Sequence, residues 1–382
     1  MRGIMLGYTR VWAEIDTDAA AYNLNAIKEK INDNTKIIAV IKTDGYGHDA
    51  VILSQIYERD SRVWGYAVAT ADEADELARS GVKKPVLILG YAFPQNYESL
   101  IDEDIRLTVF TYEAACGISE AAGRLGKACR IHIKVDTGMN RIGVKPDEEG
   151  LELVKKISQL PYLEIEGIFT HFARADEEDL SRARGQLDAF TGFVSEAERQ
   201  SGITIPLKHC SNSAGIAQLP EANLDAVRAG IILYGLYPSN EVKAMNKISL
   251  KPVLSLKSRI VHIKTVPSGQ EISYGGTFTT SRFTRIATVC IGYGDGYPRS
   301  LSNIGQALIC GHRAHIIGRV CMDQMMIDVT DIKEDINVGD IVTLIGSDGG
   351  ENITMEELGE LSGRFNYELA CDLGKRIARV VK

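Results

Sequence analysis

Lys42 closes the apolar run Ile38-Ala39-Val40-Ile41-Lys42 and is followed by Thr43-Asp44-Gly45-Tyr46-Gly47-His48. A lysine that ends an apolar strand can simply snorkel to solvent. Held in a partly desolvated site with a depressed pKa, the same amine can form a Schiff base with an aldehyde. Other polar residues punctuate apolar runs further along. Lys134 and Asp136 are followed by Arg141, and His171 ends a second run. Asn212-Ser213 ends a third, and Arg228 precedes Gly230 and Ile231. Such residues could bind an anionic ligand and move protons.

These residues fall at corresponding places in a repeating pattern. Eight short runs rich in Val and Ile read as strands: Ile37–Lys42, Trp64–Thr70, Pro85–Gly90, Leu107–Thr111, Arg130–Thr137, Glu164–Phe172, Leu207–Ser213 and Val227–Gly235. Helical periodicity fills the gaps, as in Ala71–Ser80, Tyr112–Leu125, Glu148–Gln159 and Ser181–Ser201. Gly81, Gly126 and Gly202 stand where three of these should stop. The alternation predicts an α/β fold with a parallel (β/α)8 barrel, which gathers chemistry at the C-terminal ends of its strands. The polar residues above lie at those ends.

Beyond about residue 245 the pattern becomes mainly β. Val253–Thr265, Ile286–Tyr293, Ala307–Val320, Met325–Val329 and Ile341–Ile345 read as strands, with one late helix near Thr354–Arg364. The expected organisation is a barrel domain over 12–245 and a mainly β domain over 246–382, with the strand at 11–16 a candidate to join the second. The length of 382 residues suits two domains.

Hydrophobic residues make up 45% of the chain and charged residues 25%, a globular balance rather than a disordered one. A net charge of −8 argues against nucleic acid as a partner. No apolar run approaches the ~18 residues of a membrane helix. The first residues hold too short an apolar stretch for a secretory signal. The seven cysteines are scattered, with no C-x-x-C pair and no metal-ligand set. A cytoplasmic protein with reduced thiols is expected.

The stretch Ala39 to His48 resembles the cofactor-lysine motif of alanine racemases. Further stretches agree in order: Lys134 to Arg141, Thr170-His171-Phe172, Asn212-Ser213-Ala214, Arg228 to Ile231, Ser273-Tyr274-Gly275, Gly292 to Gly296, Gly318 to Gln324, and Asn366-Tyr367-Glu368. The likeness spans nearly the whole chain. Three departures stand out: Thr43-Asp44-Gly45 replaces an Ala-Asn-Ala type, Asn140 a small residue, and Gly294 an alanine. None removes a group that does chemistry.

The resemblance implies a pyridoxal 5'-phosphate racemase that interconverts L- and D-alanine with two bases and supplies D-alanine for cell-wall peptidoglycan. It implies that Lys42 holds the cofactor and acts on the D-side proton. Tyr274 would act on the L-side, reaching in from the other subunit of a homodimer with shared active sites. A free tyrosine has a pKa near ~10, so Tyr274 would need a cation or donor beside it, with His171 and Arg228 as candidates. Arg228 would donate to the cofactor ring nitrogen, to which it cannot surrender a proton. Ser213, Gly230 and Ile231, with Tyr46, Tyr367 and Asn212, would bind the cofactor and cradle its phosphate. Arg141 would hold the substrate carboxylate, and Lys134 beside it would be carbamylated. Met322 and Asp323 would line the substrate pocket, and Tyr293, Arg299 and Asp176 the access path. His48, His132 and His209 read as structural, and Cys321 as a small buried filler.

Serine racemisation is the alternative within the class, although a bulky Tyr367 favours alanine. A single-barrel cofactor carrier without activity would end near residue 235. A barrel-plus-β decarboxylase would lack the Ser273-Tyr274-Gly275 stretch.

Overall fold

The computed structural model describes residues 10–382, so the N-terminal segment read for a targeting signal lies almost wholly outside the described residues. Two units are distinguished: residues 20–45 with 50–251, and residues 10–19 with 46–49 and 252–382. The first strand of the chain, β1 (Val11–Ile15), belongs to the latter.

The larger unit is a closed eight-stranded barrel. Its strands are β2 (Lys36–Val40), β3 (Val63–Val68), β4 (Val86–Ile88), β5 (Arg106–Val109), β6 (Cys129–Lys134), β7 (Leu163–Phe169), β8 (Leu207–His209) and β9 (Ala226–Ala229). Every pairing is parallel, and β9 closes on β2. The expected (β/α)8 fold is therefore present, strand for strand. Parallel strands are buried on both faces, which explains why these runs are continuously apolar rather than alternating.

Helix boundaries follow from caps. Thr70, Thr111 and Asp147 each accept a backbone N–H in the first turn of Ala71–Arg79, Tyr112–Leu125 and Glu148–Ser158. Gly126 and Gly202 take left-handed conformations at the ends of Tyr112–Leu125 and Ser181–Ser201.

Each strand stops two to six residues before the apolar run in the sequence does. Lys42 stands two residues beyond β2, and Ser213 opens a short helix, Ser213–Gln218. Apolar composition persists past the last ladder hydrogen bond most clearly after β6 to β9, where Val135, Phe172, Cys210 and Ile231 are themselves buried.

The second unit is built on a nine-stranded sheet. Its strands beyond β1 include β10 (Leu254–Val266), then the small pair β11 (Glu271–Ile272) and β12 (Phe278–Thr279), which stand apart. β13 (Thr284–Val289), β14 (Gln306–Ile309), β15 (His312–His315), β16 (Met325–Asp328), β17 (Ile341–Asp348), β18 (Glu351–Ile353) and β19 (Ala378–Val381) follow. β1 lies between β10 and β19, with Trp12 opposite Lys257 on one side and Ala378 on the other. Ala307–Val320 is not one strand: Cys310 and Gly311, both at positive φ, turn it into the β14–β15 hairpin. No helix among the described residues is long and apolar enough to cross a membrane.

Gly65 leaves no room for a side chain between two barrel strands. A Cβ on Gly65 of β3 would lie 2.2 Å from the Pro85 carbonyl oxygen, where β4 begins. Gly65→Ala should lower stability by roughly 1–3 kcal/mol through forced strand separation. Urea unfolding measures it, and an unchanged midpoint would show that the two strands part freely.

Candidate active site

The barrel centre is organised around Arg228 on β9, whose guanidinium is almost fully buried. No carboxylate among the described residues pairs with it. Its Nη1 donates to His209 Nδ1 at 2.8 Å and to the His209 carbonyl at 2.9 Å. Its Nη2 donates to the carbonyls of Thr170 (2.6 Å) and Cys210 (2.9 Å) and to His171 Nδ1 at 3.3 Å. Burial, and then the Arg141 charge, bring its pKa down to about 10. It therefore remains a cation at neutral pH.

Arginine only donates, so its partners' tautomers follow. His209 accepts at Nδ1 and must carry its proton at Nε2, which faces His132 Nδ1 at 2.9 Å. His132 then carries its proton at Nε2, which faces a Glu166 carboxylate oxygen at 3.2 Å. The polarity runs one way: Arg228 to His209 to His132 to Glu166. His171 likewise accepts at Nδ1, leaving its Nε2 as the donor. Burial lowers the pKa of all three imidazoles, and the Arg228 charge adds to this. Phe169 on β7 supports the group. Its ring stacks on His209 at 4.8 Å and faces both Arg228 and Lys134.

Lys134 shares β6 with His132, two residues apart and so on one face. It is 3% exposed and donates to the Val135 carbonyl at 2.7 Å. Burial, then the charges of Arg228 and Arg141, depress its amine to about 7. Asp136 shapes the loop beyond. It accepts from the N–H groups of Gly138 (3.1 Å) and Asn140 (2.9 Å) and pairs with Lys145 (2.9 Å). Asn140 sits at φ 55, a left-handed conformation that asparagine tolerates well. This loop delivers Arg141 exposed at the rim.

Lys42 begins a left-handed turn. Thr43, Asp44 and Gly45 have φ values of 54, 51 and 61 with ψ between 41 and 51. Asp44 accepts from the Ala50 N–H at 3.1 Å, capping the next helix. A Cβ on Gly45 would press on Leu53 at 2.8 Å. The charges of Arg228, Arg141, Lys134 and Lys42 all add to burial in depressing His171. Cationic side chains from three strand ends, those of β2, β6 and β9, thus act on one neutral imidazole.

At the neighbouring rim, Asn212 caps the helix Ser213–Gln218 through the Gly215 N–H (3.0 Å). The Ser213 hydroxyl accepts from the Gly230 N–H at 3.1 Å. A single 3-10 turn, Ile231–Tyr234, starts immediately afterwards. Asp176 lies in the loop beyond β7, its carbonyl accepting from Ser239 at 2.8 Å.

The second unit carries the remaining expected residues. Tyr46 and Tyr367 have ring centroids 5.9 Å apart, and Tyr367 stacks on Phe365. Tyr274 stands 70% exposed on a turn whose preceding residue, Ser273, has φ 65 and donates to the Arg319 carbonyl at 2.7 Å. Tyr293 and Gly294 hydrogen-bond through their N–H groups to the carbonyls of Cys321 and Met322. That brings Tyr293, Met322 and Asp323 together on adjoining loops. Arg299 is exposed on a separate turn.

Comparison with known proteins agrees with this geometry. The alanine racemase N-terminal domain model matches residues 15–238, and the C-terminal domain model matches residues 253–381. The chain belongs to the alanine racemase family. The alanine racemase of Methanococcus maripaludis is 46% identical over 370 residues, covering 97% of this chain and 98% of that protein. The solved alanine racemase of Clostridium difficile 630 superposes with a TM-score of 0.94 at 41% identity, covering 98% of this chain and 96% of that one. A histidine racemase from Leuconostoc mesenteroides is also similar, at a TM-score of 0.88 and 30% identity, covering 98% and 99%.

Alanine racemases are amino-acid isomerases that depend on pyridoxal phosphate. The barrel rim of this family member fits that cofactor chemically. It offers an amine at Lys42, a surplus of cations for an anionic ligand, and the Ser213 hydroxyl, held by the Gly230 N–H. Asp136 is already engaged by its own loop and by Lys145.

Sequence reading assigned His132 and His209 a structural role. Within the barrel they form the hydrogen-bonded link from Arg228 to Glu166. The signal was present in the two-residue spacing of His132 and Lys134, but nothing along the chain connects β6 to β8 and β9.

Neutral buried histidines give a pH dependence with a definite sign. Unfolded, each binds a proton near pH ~6.5. Folded, each resists it, so stability should fall as pH drops below ~6.5. His132→Phe should cost about 1–3 kcal/mol at pH ~7.5 by stranding two polar partners. It should also flatten the decline between pH ~6.5 and ~5, read from urea midpoints. An unaltered pH slope would contradict a neutral His132.

Proposed function

We propose that the chain racemises alanine as a homodimer, with Lys42 and Tyr274 as bases on opposite faces of the substrate α-carbon. What carries this reading is the placement of Lys42, Lys134, Arg141 and Arg228 at or just beyond the C-terminal ends of barrel strands, with Arg228 hydrogen-bonded to His171. Pyridoxal phosphate, when bound, spreads the charge left by α-proton removal into its ring. Lys42 would anchor that cofactor and exchange the proton at Nζ on the D face. Tyr274 would do the same at Oη on the L face. Arg141 presents a planar fork suited to the substrate carboxylate. Arg228 can donate to the cofactor ring nitrogen but cannot protonate it, which disfavours transamination. Ser213, Gly230 and Ile231, with the hydroxyls of Tyr46 and Tyr367, would hold the phosphate, and Asn212 would support Ser213.

The dimer is supported by exposure. Tyr274, Met322 and Tyr293 are large, partly apolar side chains left 70%, 53% and 43% accessible. A second subunit covering them would bury that surface and supply each site with the tyrosine of the other chain. Met322 and Asp323 would then line the substrate pocket, with Tyr293, Arg299 and Asp176 along the access path. Free thiols at all seven cysteines suit the cytoplasm.

Lys134 would be carbamylated. An amine depressed to about 7 is substantially neutral at physiological pH. Its nitrogen can attack carbon dioxide, forming an N–C bond and releasing a proton to solvent. The resulting anion would replace a cation beside Arg141. Protein equilibrated with 13C-bicarbonate should show a carbamate carbonyl resonance that Lys134→Met abolishes. A resolved density map with a bare ammonium there would refute the assignment.

The central test is α-exchange. Incubation with L-alanine in D2O should deuterate Cα and lose optical rotation, with L-serine turning over more slowly. No exchange with either amino acid would end the racemase reading. Tyr274→Phe should slow proton removal from L-alanine more than from D-alanine; equal slowing would undo the assignment of one base per face.

A further inference from the structure

The turn after Lys42 holds two non-glycine residues in a left-handed conformation. Thr43 and Asp44 both adopt left-handed backbone angles, which L-residues other than glycine take reluctantly. Such a segment persists only where its surroundings hold it. Two of its supports are internal to the neighbourhood. The Gly45 N–H donates to the Ile41 carbonyl at 2.9 Å, and Asp44 caps the helix beginning at Ala50.

The third support comes from further away. Glu73 occupies the third position of the helix Ala71–Arg79 and completes a capping box with Thr70. In a capping box the acidic side chain needs only to reach back to the cap's own N–H. Glu73 Oε2 does this, accepting from Thr70 at 3.3 Å and from Ala69 at 2.7 Å. Its Oε1 serves no capping purpose. It accepts from the N–H of Thr43 at 2.6 Å, the peptide group immediately after Lys42. One carboxylate therefore ties the loop beyond β2 to the loop beyond β3.

We propose that Glu73 is a positioning residue for racemisation, clamping the left-handed turn that aims Lys42. This rests on the role of Lys42 given above. The clamp acts on the backbone at the base of the lysine side chain, where a small shift is magnified along four methylenes. A misplacement of about 1 Å can cost a reaction on the order of a hundredfold.

Glu73→Gln separates the clamp from the cap, because a single amide oxygen can accept at one loop but not bridge both. Glu73→Ala removes both. Three measurements on the full chain are informative: kcat and KM in both directions, amide hydrogen exchange of the peptide 41–47 without cofactor, and the dissociation constant of pyridoxal phosphate by dialysis. In Glu73→Gln, exchange at 41–47 should rise about tenfold while the barrel core is unchanged. kcat should fall about 10- to 100-fold with KM within about twofold, and cofactor affinity should weaken. Wild-type exchange at 41–47 and wild-type kcat in a folded Glu73→Gln protein would overturn the proposal. So would acceleration spread evenly over the barrel, which is the signature of a lost helix cap alone. Lys42→Ala is the control for the underlying reading. Undiminished racemisation there would remove the role of Lys42, whereas exchange at 41–47 reports on the clamp independently of it.

Discussion

A buried guanidinium without a carboxylate is the constraint on which the barrel site depends. Removing a cation from water is costly unless its donors are satisfied. Arg228 meets the requirement with three backbone carbonyls and two imidazole nitrogens. The carbonyls come from the ends of β7 and β8, so these strands must stop where they do. The imidazoles must be neutral and of one tautomer. Two histidines link the positive charge to Glu166. Burial alone would raise the Glu166 carboxyl, but the hydrogen bond from His132 and the charge of Arg106 outweigh it and hold the group below its ordinary value. The cation at the centre and the anion behind it are thus kept apart, and the positive field remains directed toward the rim.

That field decides what else can stand there. Lys134 and Arg141 are added to a place already positive, and Lys134 responds by losing its proton near neutrality. His171 responds by staying neutral. Such an arrangement would be a stability defect in a protein with nothing to bind. It becomes favourable when an anionic ligand completes it, in line with the general rule that functional sites gather perturbed titratable groups.

Much of this architecture was legible along the chain. The eight barrel strands follow from apolar runs of strand length separated by helical periodicity, and Gly126 and Gly202 mark helix ends where they were expected. Strand ends were harder to read. Ile41 is as apolar as Val40, so hydrophobicity does not reveal the ladder's last hydrogen bond. Among site residues, Lys42, Arg141 and Arg228 could be picked out by type and place. The His132–His209 link could not, because it joins strands distant in sequence. Glu73 was invisible for a related reason. Its sequence signature is an ordinary capping box, and only the folded barrel shows that one of its oxygens is used elsewhere. Tyr274 could be read only by likeness, since nothing in its local stretch distinguishes a base from a surface tyrosine.

The departures from the family's usual pattern make sense as local backbone and space effects. Asp44 and Gly45 occupy left-handed positions, where aspartate is tolerated and glycine has no penalty. Asn140 occupies another, with its side-chain oxygen accepting from Lys145 at 2.9 Å. Gly294 has a different cause. A Cβ there would lie 2.6 Å from a terminal nitrogen of Arg376. Without it, Arg376 reaches Asp323 at 2.7 Å and the buried Asp295 at 3.5 Å. Arg10 also pairs with Asp295, so one fully buried carboxylate is shared by two arginines. The missing methyl is therefore compensated by an ion pair that orients Asp323. An alanine at this position would not clash with rigid backbone alone. It would displace a flexible arginine, leaving Asp323 to solvent and Asp295 to Arg10. The substitution that looks most conservative in sequence is thus the one with the longest reach in charge.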